Sequence, residues 1–323
     1  MQSYFGAMSL LNVSGISKKQ GEEYVVKNVN FVQEASQKIA IAGATGSGKS
    51  TLLKIIAGLI QPDSGEVLFE GKRVRGPLEK LLPGHPQIAY LSQHFELRNN
   101  YRVEEILQMA SKVSDTDAKL IYEVCRIAPL LKRRTNELSG GERQRISFSK
   151  ALITSPKLLL LDEPFSNLDA IHRGILKTII NDIEQRLNVS CLLVSHDPVD
   201  LLSWADEIII LNEGKIIQRG PAEEVYRRPV NEYAAALFGK YNLITTELLQ
   251  LFPSLANSDR RFIRPADFRI IVDEANGVKA EIISINFMGG FYEIELNAFG
   301  QMLTATTNYN FEKGEIVTVH LNS

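Results

Sequence analysis

Cysteine, tryptophan and long apolar runs are what this 323-residue chain has least of. Its two cysteines, Cys125 and Cys191, stand far apart and form no C-x-x-C pair, which argues against a disulfide framework or a thiolate metal site and fits a reducing compartment. No stretch approaches the roughly 18 consecutive apolar residues of a membrane span. Work at a membrane would therefore need a partner. The opening MQSYFGAMSLLNVSG has neither a charged n-region nor a long apolar h-region, so no secretory leader is expected. Charge is also short on one-sidedness: the formal net value is −2 and no block of like charge stands out, which speaks against nucleic acid as a partner. Low-complexity tracts and tandem repeats are missing too. At 44% hydrophobic and 23% charged residues, the chain can bury a sizeable core.

What is present is an alternation. QKIAIAG, QIAYLSQ, KLLLLDEP, VSCLLVSHD and ADEIIILNEGK read as short strands, apolar almost throughout, as in sheets covered on both faces. Helical patterns lie between them, including 170–188, so a layered α/β domain with a mostly parallel sheet is expected over about 1–240. From about 95 to 137 no strand pattern occurs. RVEEILQMASK and DAKLIYEVCRIAPLLKRR have helical periodicity, with Asp115 a fitting N-cap, and read as a helical insertion. After about 240, RRFIRP, GVKAEIISINFMGG, FYEIELNAFG, MLTATTN and GEIVTVHLN are β-type runs split by glycines and polar turns. They predict a small β-barrel or sandwich over 241–323.

Directly after KIAIA comes GATGSGKST, and a helical STLLKIIAG follows with Gly58 as its stop. Strand, loop and helix are the context a phosphate-binding P-loop requires. Successive N–H groups of Gly43, Ala44, Thr45, Gly46, Ser47 and Gly48 can turn toward phosphate oxygens, and the helix N-terminus adds partial positive charge. Lys49 would reach the β- and γ-phosphates, Ser50 would ligate Mg²⁺, and Thr51 would lie by the α-phosphate. A second ligand is at hand where KLLLLDEP ends: Asp162 for the metal. Next to it, Glu163 can polarise an attacking water.

LSGGERQR, at 138–145, resembles the signature motif of ABC-type ATPases, and so does its place shortly before LLLLDEP. Ser139, Gly140 and Gly141 would open a helix running to about Ile153 and offer a hydroxyl, N–H groups and a helix dipole to a phosphate. A second anion site is redundant within one chain. The resemblance implies instead that two subunits pack head to tail, each signature closing over the nucleotide held by the other's P-loop. It also implies roles for Gln93 as the Q-loop glutamine at metal and water, Asp169 of SNLDA as the D-loop acid at the subunit interface, and His196 of LLVSHD as the switch histidine. His85, His94, His172 and His320 receive no role. One departure stands out: Gln20 occupies the position where the family stacks adenine on an aromatic ring, and Tyr24 is the nearest aromatic.

GKIIQRGPAEEVYRRPVNEYAAALFGKYNLI resembles the end of ATPase subunits of bacterial solute importers, and FIRPADFRI the segment opening their appended OB-like domain, called TOBE. The resemblance thus implies a P-loop NTPase domain of ABC type with a helical subdomain, followed by a TOBE-like domain. It implies an ATPase using ATP and Mg²⁺, working as a homodimer on transmembrane permease subunits, served indirectly by a solute-binding protein, in the cytoplasm on the inner face of the membrane. Sensing and dimer stabilisation both stay open for the β-tail, and so does export, though the tail favours import. Repair-type relatives carry long coiled coils, for which 95–137 is too short, and translation-type relatives carry two motors in one chain.

Overall fold

The computed structural model of the chain describes residues 9–92, 97, 100–166, 168–257, 260–272 and 277–322. They form two compact units that divide between Pro221 and Ala222.

The first unit opens with an antiparallel sheet. Strands β1 (Leu11–Gln20) and β2 (Glu23–Gln33) form a hairpin; β4 (Ser64–Phe69) and β5 (Lys72–Arg73) complete the order β2-β1-β4-β5. The second sheet has the order β10-β9-β3-β8-β7-β6. Its members are β3 (Ile39–Ala42), β6 (Ile88–Leu91), β7 (Leu158–Asp162), β8 (Ser190–Val194), β9 (Glu207–Asn212) and β10 (Lys215–Pro221). All neighbours are parallel except the β9–β10 hairpin. Every residue of β3, β7 and β8 is buried, which is why these runs show no apolar–polar alternation. Helix α1 (Lys49–Ile56) supplies Leu52, Leu53 and Ile56 to a core that also takes Leu11, Phe31 and Val67 from the first sheet and Ile39, Leu160 and Leu192 from the second. Each such side chain contributes roughly 1.5–3 kcal/mol on burial.

The helical insertion holds α2 (Val103–Ala110) and α3 (Asp115–Val124). The α3 cap differs from expectation by one residue: Ser114 accepts from the Asp117 amide, and Asp115 is already helical. The helix is also shorter than its periodic pattern, because Arg126 turns to φ +55° and a 3-10 turn containing Pro129 follows. Helices α4 (Gly140–Leu152), α5 (Ala170–Leu187) and α6 (Pro198–Leu202) complete the unit. No helix among the described residues is long and apolar enough to cross a membrane.

In the second unit, α7 (Ala222–Arg227), α8 (Glu232–Leu237) and α9 (Thr246–Leu251) accompany a two-stranded ladder, β11 (Asn242–Leu243) with β12 (Phe262–Ile263). By contacts, the helices of 222–237 group with this unit. Its main sheet is all antiparallel in the order β13-β17-β14-β15-β16, from Phe268–Ile271, Ile316–Leu321, Val278–Phe287, Tyr292–Ala298 and Gln301–Thr307. The sheet curls so that its end strands β13 and β16 approach each other, an OB-like arrangement.

Arg264 anchors this unit. Its side chain is buried, and the guanidinium stacks on the Tyr226 ring at 4.4 Å from the centroid. It donates to the carbonyls of Tyr226 (3.0 Å), Ala235 (2.9 Å), Lys240 (3.2 Å) and Gly239 (3.3 Å). Two of these carbonyls, of Tyr226 and Ala235, lie in the last turns of α7 and α8. Replacing Arg264 by methionine keeps the bulk and removes the donor from four carbonyls, at a cost of about 3 kcal/mol. Amide exchange in β13 to β17 should quicken and the unit's melting temperature should drop; unchanged exchange would refute the anchoring role.

Candidate active site

Strand order decides which residues meet. The strands β3, β8 and β7 are consecutive in a parallel sheet, and their carboxyl ends carry Gly43, Ser195–His196 and Asp162–Glu163 side by side. Ligands of open α/β sheets bind at such ends.

The loop after β3 wraps the start of α1. Gly48 caps that helix at φ +100°, and a Cβ there would lie 2.1 Å from the Val25 carbonyl oxygen, so only glycine fits. Ala44, Thr45 and Gly46 are exposed at the loop tip, whereas Ser47 is buried and its amide donates to the Ala44 carbonyl at 3.1 Å. Lys49 is almost fully buried. Its Nζ donates to the carbonyls of Gly43 (2.7 Å) and Ala44 (2.8 Å), which aims the ammonium across the loop. Burial lowers its pKa, opposed by the nearby charges of Glu163 and then Asp162. A cleft of about 420 Å³ opens here, lined by Gln20, Val25, Thr45, Gly46, Gly48, Lys49, Ser50, Thr51, Glu163 and His196.

Asp162 ends β7 with a buried carboxylate. Ser50 Oγ donates to its Oδ1 at 2.9 Å and the Tyr90 hydroxyl to its Oδ2 at 2.7 Å. Burial, ahead of the bond to Asp162, pushes the Tyr90 hydroxyl far above its usual range, so it stays a donor. The next residue, Glu163, sits at φ +53°, a turn uncommon for a residue with a Cβ. This swings its side chain away from Asp162 toward His196, whose Nδ1 lies 2.7 Å from Oε2. Register explains the meeting: Asp162 pairs with Val194, and the Glu163 amide donates to the Val194 carbonyl at 2.9 Å. The ends of β7 and β8 therefore present Glu163 and His196 as neighbours.

The signature residues lie elsewhere on the unit. Ser139 caps α4 by accepting from the Glu142 amide at 3.3 Å, and the Glu142 carboxylate reaches back to the Ser139 amide at 2.8 Å. That amide bond, and then the Arg133 charge, hold the Glu142 carboxyl below its ordinary pKa. Ser139 and Gly140 are exposed. Gly141 packs so closely on His172 that a Cβ would meet the ring's Cδ2 at 2.5 Å. Asp169 caps α5 through the His172 amide (2.9 Å) and holds His172 Nδ1 at 2.7 Å. Among the described residues, Ser139, Gly140, Gly141 and Asp169 do not line the P-loop cleft.

Comparison with known proteins now decides the family. Residues 26–166 match the family described as ABC transporter. Over 311 residues the chain is 31% identical to the spermidine/putrescine import ATP-binding protein PotA of Clostridium acetobutylicum, covering 89% of this chain and 87% of that one. This chain belongs to the ABC transporter family. It is an ATP-binding subunit of the importer type, and its activity is ATP hydrolysis. It is also 32% identical to the glucose import ATP-binding protein GlcV of Saccharolobus solfataricus, over 96% of this chain and 95% of that one. In fold, it resembles cbiO1 of Clostridium perfringens with a TM-score of 0.61 at 23% identity, covering 68% of this chain and 91% of that one.

Two expectations for this ABC ATPase need comment. Gln93 lies outside the described residues. Gln20, at the position where the family carries an aromatic, does line the cleft, while Tyr24 is about half exposed with Lys19 Nζ 5.0 Å over its ring. Sequence reasoning missed two residues. His172 had a readable signal, since Asp169 three positions earlier is a cap spacing. Tyr90 had none, because its contact depends on which strand lies beside β7.

Proposed function

We propose that two copies of this chain pack head to tail, each signature cap completing the P-loop cleft of the other, and that the pair drives transmembrane permease subunits. The observation that carries this reading is the exposure of Ser139 and Gly140 at a helix start apart from the cleft. A capped helix start with open N–H groups is built to meet an anion, and the cleft of the same chain supplies its own helix start for that purpose.

Within the cleft, the loop amides and Lys49 hold the β- and γ-phosphates and stabilise charge as the terminal phosphoryl leaves. Ser50 and Asp162 fit Mg²⁺: both are hard oxygen donors, one is a carboxylate, and magnesium commonly takes one or two carboxylates with phosphate oxygens making up the set. When bound, the ion neutralises charge on the phosphates. Gln93 is proposed to join that set. Glu163 orients and polarises the attacking water, and His196 holds Glu163 while facing the γ-phosphate. Thr51 lies by the α-phosphate and Asp169 at the seam between copies. The organisation is an ATPase domain over 1–240 with its helical subdomain at about 95–137, and a TOBE-like domain over 241–323. The chain works from the inner face of the cell membrane, and a solute-binding protein acts through the permease. Relatives named for polyamine and for glucose import are similar to nearly the same extent, 31% and 32% identical, and the choice of solute is assigned to the permease and the solute-binding protein.

Co-expression with permease subunits tests the reading. ATP turnover of the assembled complex in vesicles should rise severalfold over that of the free chain and should respond to solute. Identical rates with and without permease would contradict it.

A further inference from the structure

The carboxylate of Asp162 is gripped from both sides, and only one grip belongs to the P-loop. Ser50 takes Oδ1; Tyr90 takes Oδ2 at 2.7 Å. The second contact follows from sheet geometry. Strands β6 and β7 run parallel with Tyr90 paired to Leu160. Leu160 and Asp162 are two apart, so Tyr90 and Asp162 project from the same face of the sheet. Two residues of strand rise are roughly 6.6 Å, the reach of a phenol ring along the sheet. A shorter side chain at 90 would not arrive.

Tyr90 also lines a hollow of about 330 Å³, together with Ser92 and with Ser147 and Lys150 of α4, the helix that starts at the signature. The ring packs against the first unit's core. The hydroxyl is thus a rigid donor, fixed by packing and aimed at the one carboxylate oxygen that Ser50 leaves open.

We propose that Tyr90 is a positioning residue: its hydroxyl fixes the Asp162 carboxylate so that Oδ1 stays beside Ser50 and the nucleotide phosphates. The inference rests on the reading that Ser50 and Asp162 hold the divalent ion. Without the hydroxyl, Oδ2 is buried with no such donor, the carboxylate can rotate, and the ion loses a preset ligand. Partners that orient a metal-binding side chain commonly govern affinity by 10-fold or more.

The test uses the full chain, the non-hydrolysable analogue AMP-PNP and Mn²⁺. Affinity for AMP-PNP is measured in EDTA and in Mn²⁺ for wild type, Tyr90→Phe, Tyr90→Leu and Asp162→Asn, with circular dichroism on each. The ratio of the two affinities reports the ion alone. Tyr90→Phe keeps the packed ring and should cut that ratio by about 10-fold while leaving the EDTA affinity unchanged. Tyr90→Leu should lose no more of the ratio than Tyr90→Phe, even if it melts earlier. An unaltered ratio in Tyr90→Phe beside a collapsed one in Asp162→Asn overturns the role of Tyr90 and leaves the metal site standing. An unaltered ratio in Asp162→Asn overturns the metal reading itself. Equal losses in EDTA and in Mn²⁺ would make Tyr90 a packing residue only, and would also overturn the proposal.

Discussion

With glutamine in place of Glu163, ATP should bind within about twofold of the wild-type affinity while steady-state phosphate release falls by 10²-fold or more, the range over which a positioned general base contributes. The asymmetry follows from what Glu163 touches. Its Oε2 meets His196 Nδ1 at 2.7 Å and accepts from Ser166 Oγ at 3.3 Å. The bonds that shape the phosphate loop run elsewhere, from Lys49 to Gly43 and Ala44 and from Ser50 to Asp162. Glutamine matches glutamate in size, so the turn at φ +53° carries the same strain in both proteins. What is lost is the negative charge that draws a proton from water. The closed, ATP-loaded dimer should accumulate in size-exclusion chromatography. Single-turnover quench measurements separate the steps: the variant should bind at the wild-type rate and stall at cleavage. Unchanged phosphate release would remove Glu163 from the chemistry and leave it a support for His196.

How much of this could be read without coordinates depended on whether the physical cause is local. The P-loop is local: nine contiguous residues encode a strand end, a turn that excludes side chains at Gly48, and a helix start. Asp162 and Glu163 are adjacent in a run apolar enough to be a buried strand, and His196 ends another such run. The second unit was legible as strands because its exposed face restores the alternation that buried strands lack, as in Tyr292–Ala298. The antiparallel sheet at the start was harder to see. In β2 five residues are exposed, and β1 shifts register between Val13 and Lys19, which breaks a period of two. The cap at Ser114 was misplaced by one residue because Ser and Asp are both good caps and only backbone angles choose between them. Nothing local to FIRPADFRI marks Arg264 as a buried anchor. Its hydrogen bonds reach carbonyls 24 to 38 residues earlier in the chain, which no local pattern announces.

Mixing two inactive proteins should restore activity. Glu163→Gln disables the chemistry beside its own P-loop, and Ser139→Arg places a bulky cation at the helix start meant for the other copy's nucleotide. Neither homodimer should turn over. In a mixed dimer the two lesions fall on one cleft: the Glu163→Gln P-loop faces the Ser139→Arg signature. The other cleft pairs an intact Glu163 with an intact Ser139. Random exchange makes half the dimers mixed, each with one good cleft of two, so about a quarter of wild-type turnover should appear as the variants are combined. The dependence on two chains follows from Ser139 and Gly140 lying exposed and outside the cleft that holds Lys49 and Glu163. Arginine at 139 is tolerable to the fold because the cap position is solvent-facing, and losing the serine cap costs only about 1 kcal/mol. At constant total protein, activity should peak at a one-to-one mixing ratio and fall away on either side, as measured by phosphate release. If Ser139→Arg alone turns over at the wild-type rate and the mixture shows only the sum of the two separate rates, each chain encloses its own nucleotide and the shared seam is wrong.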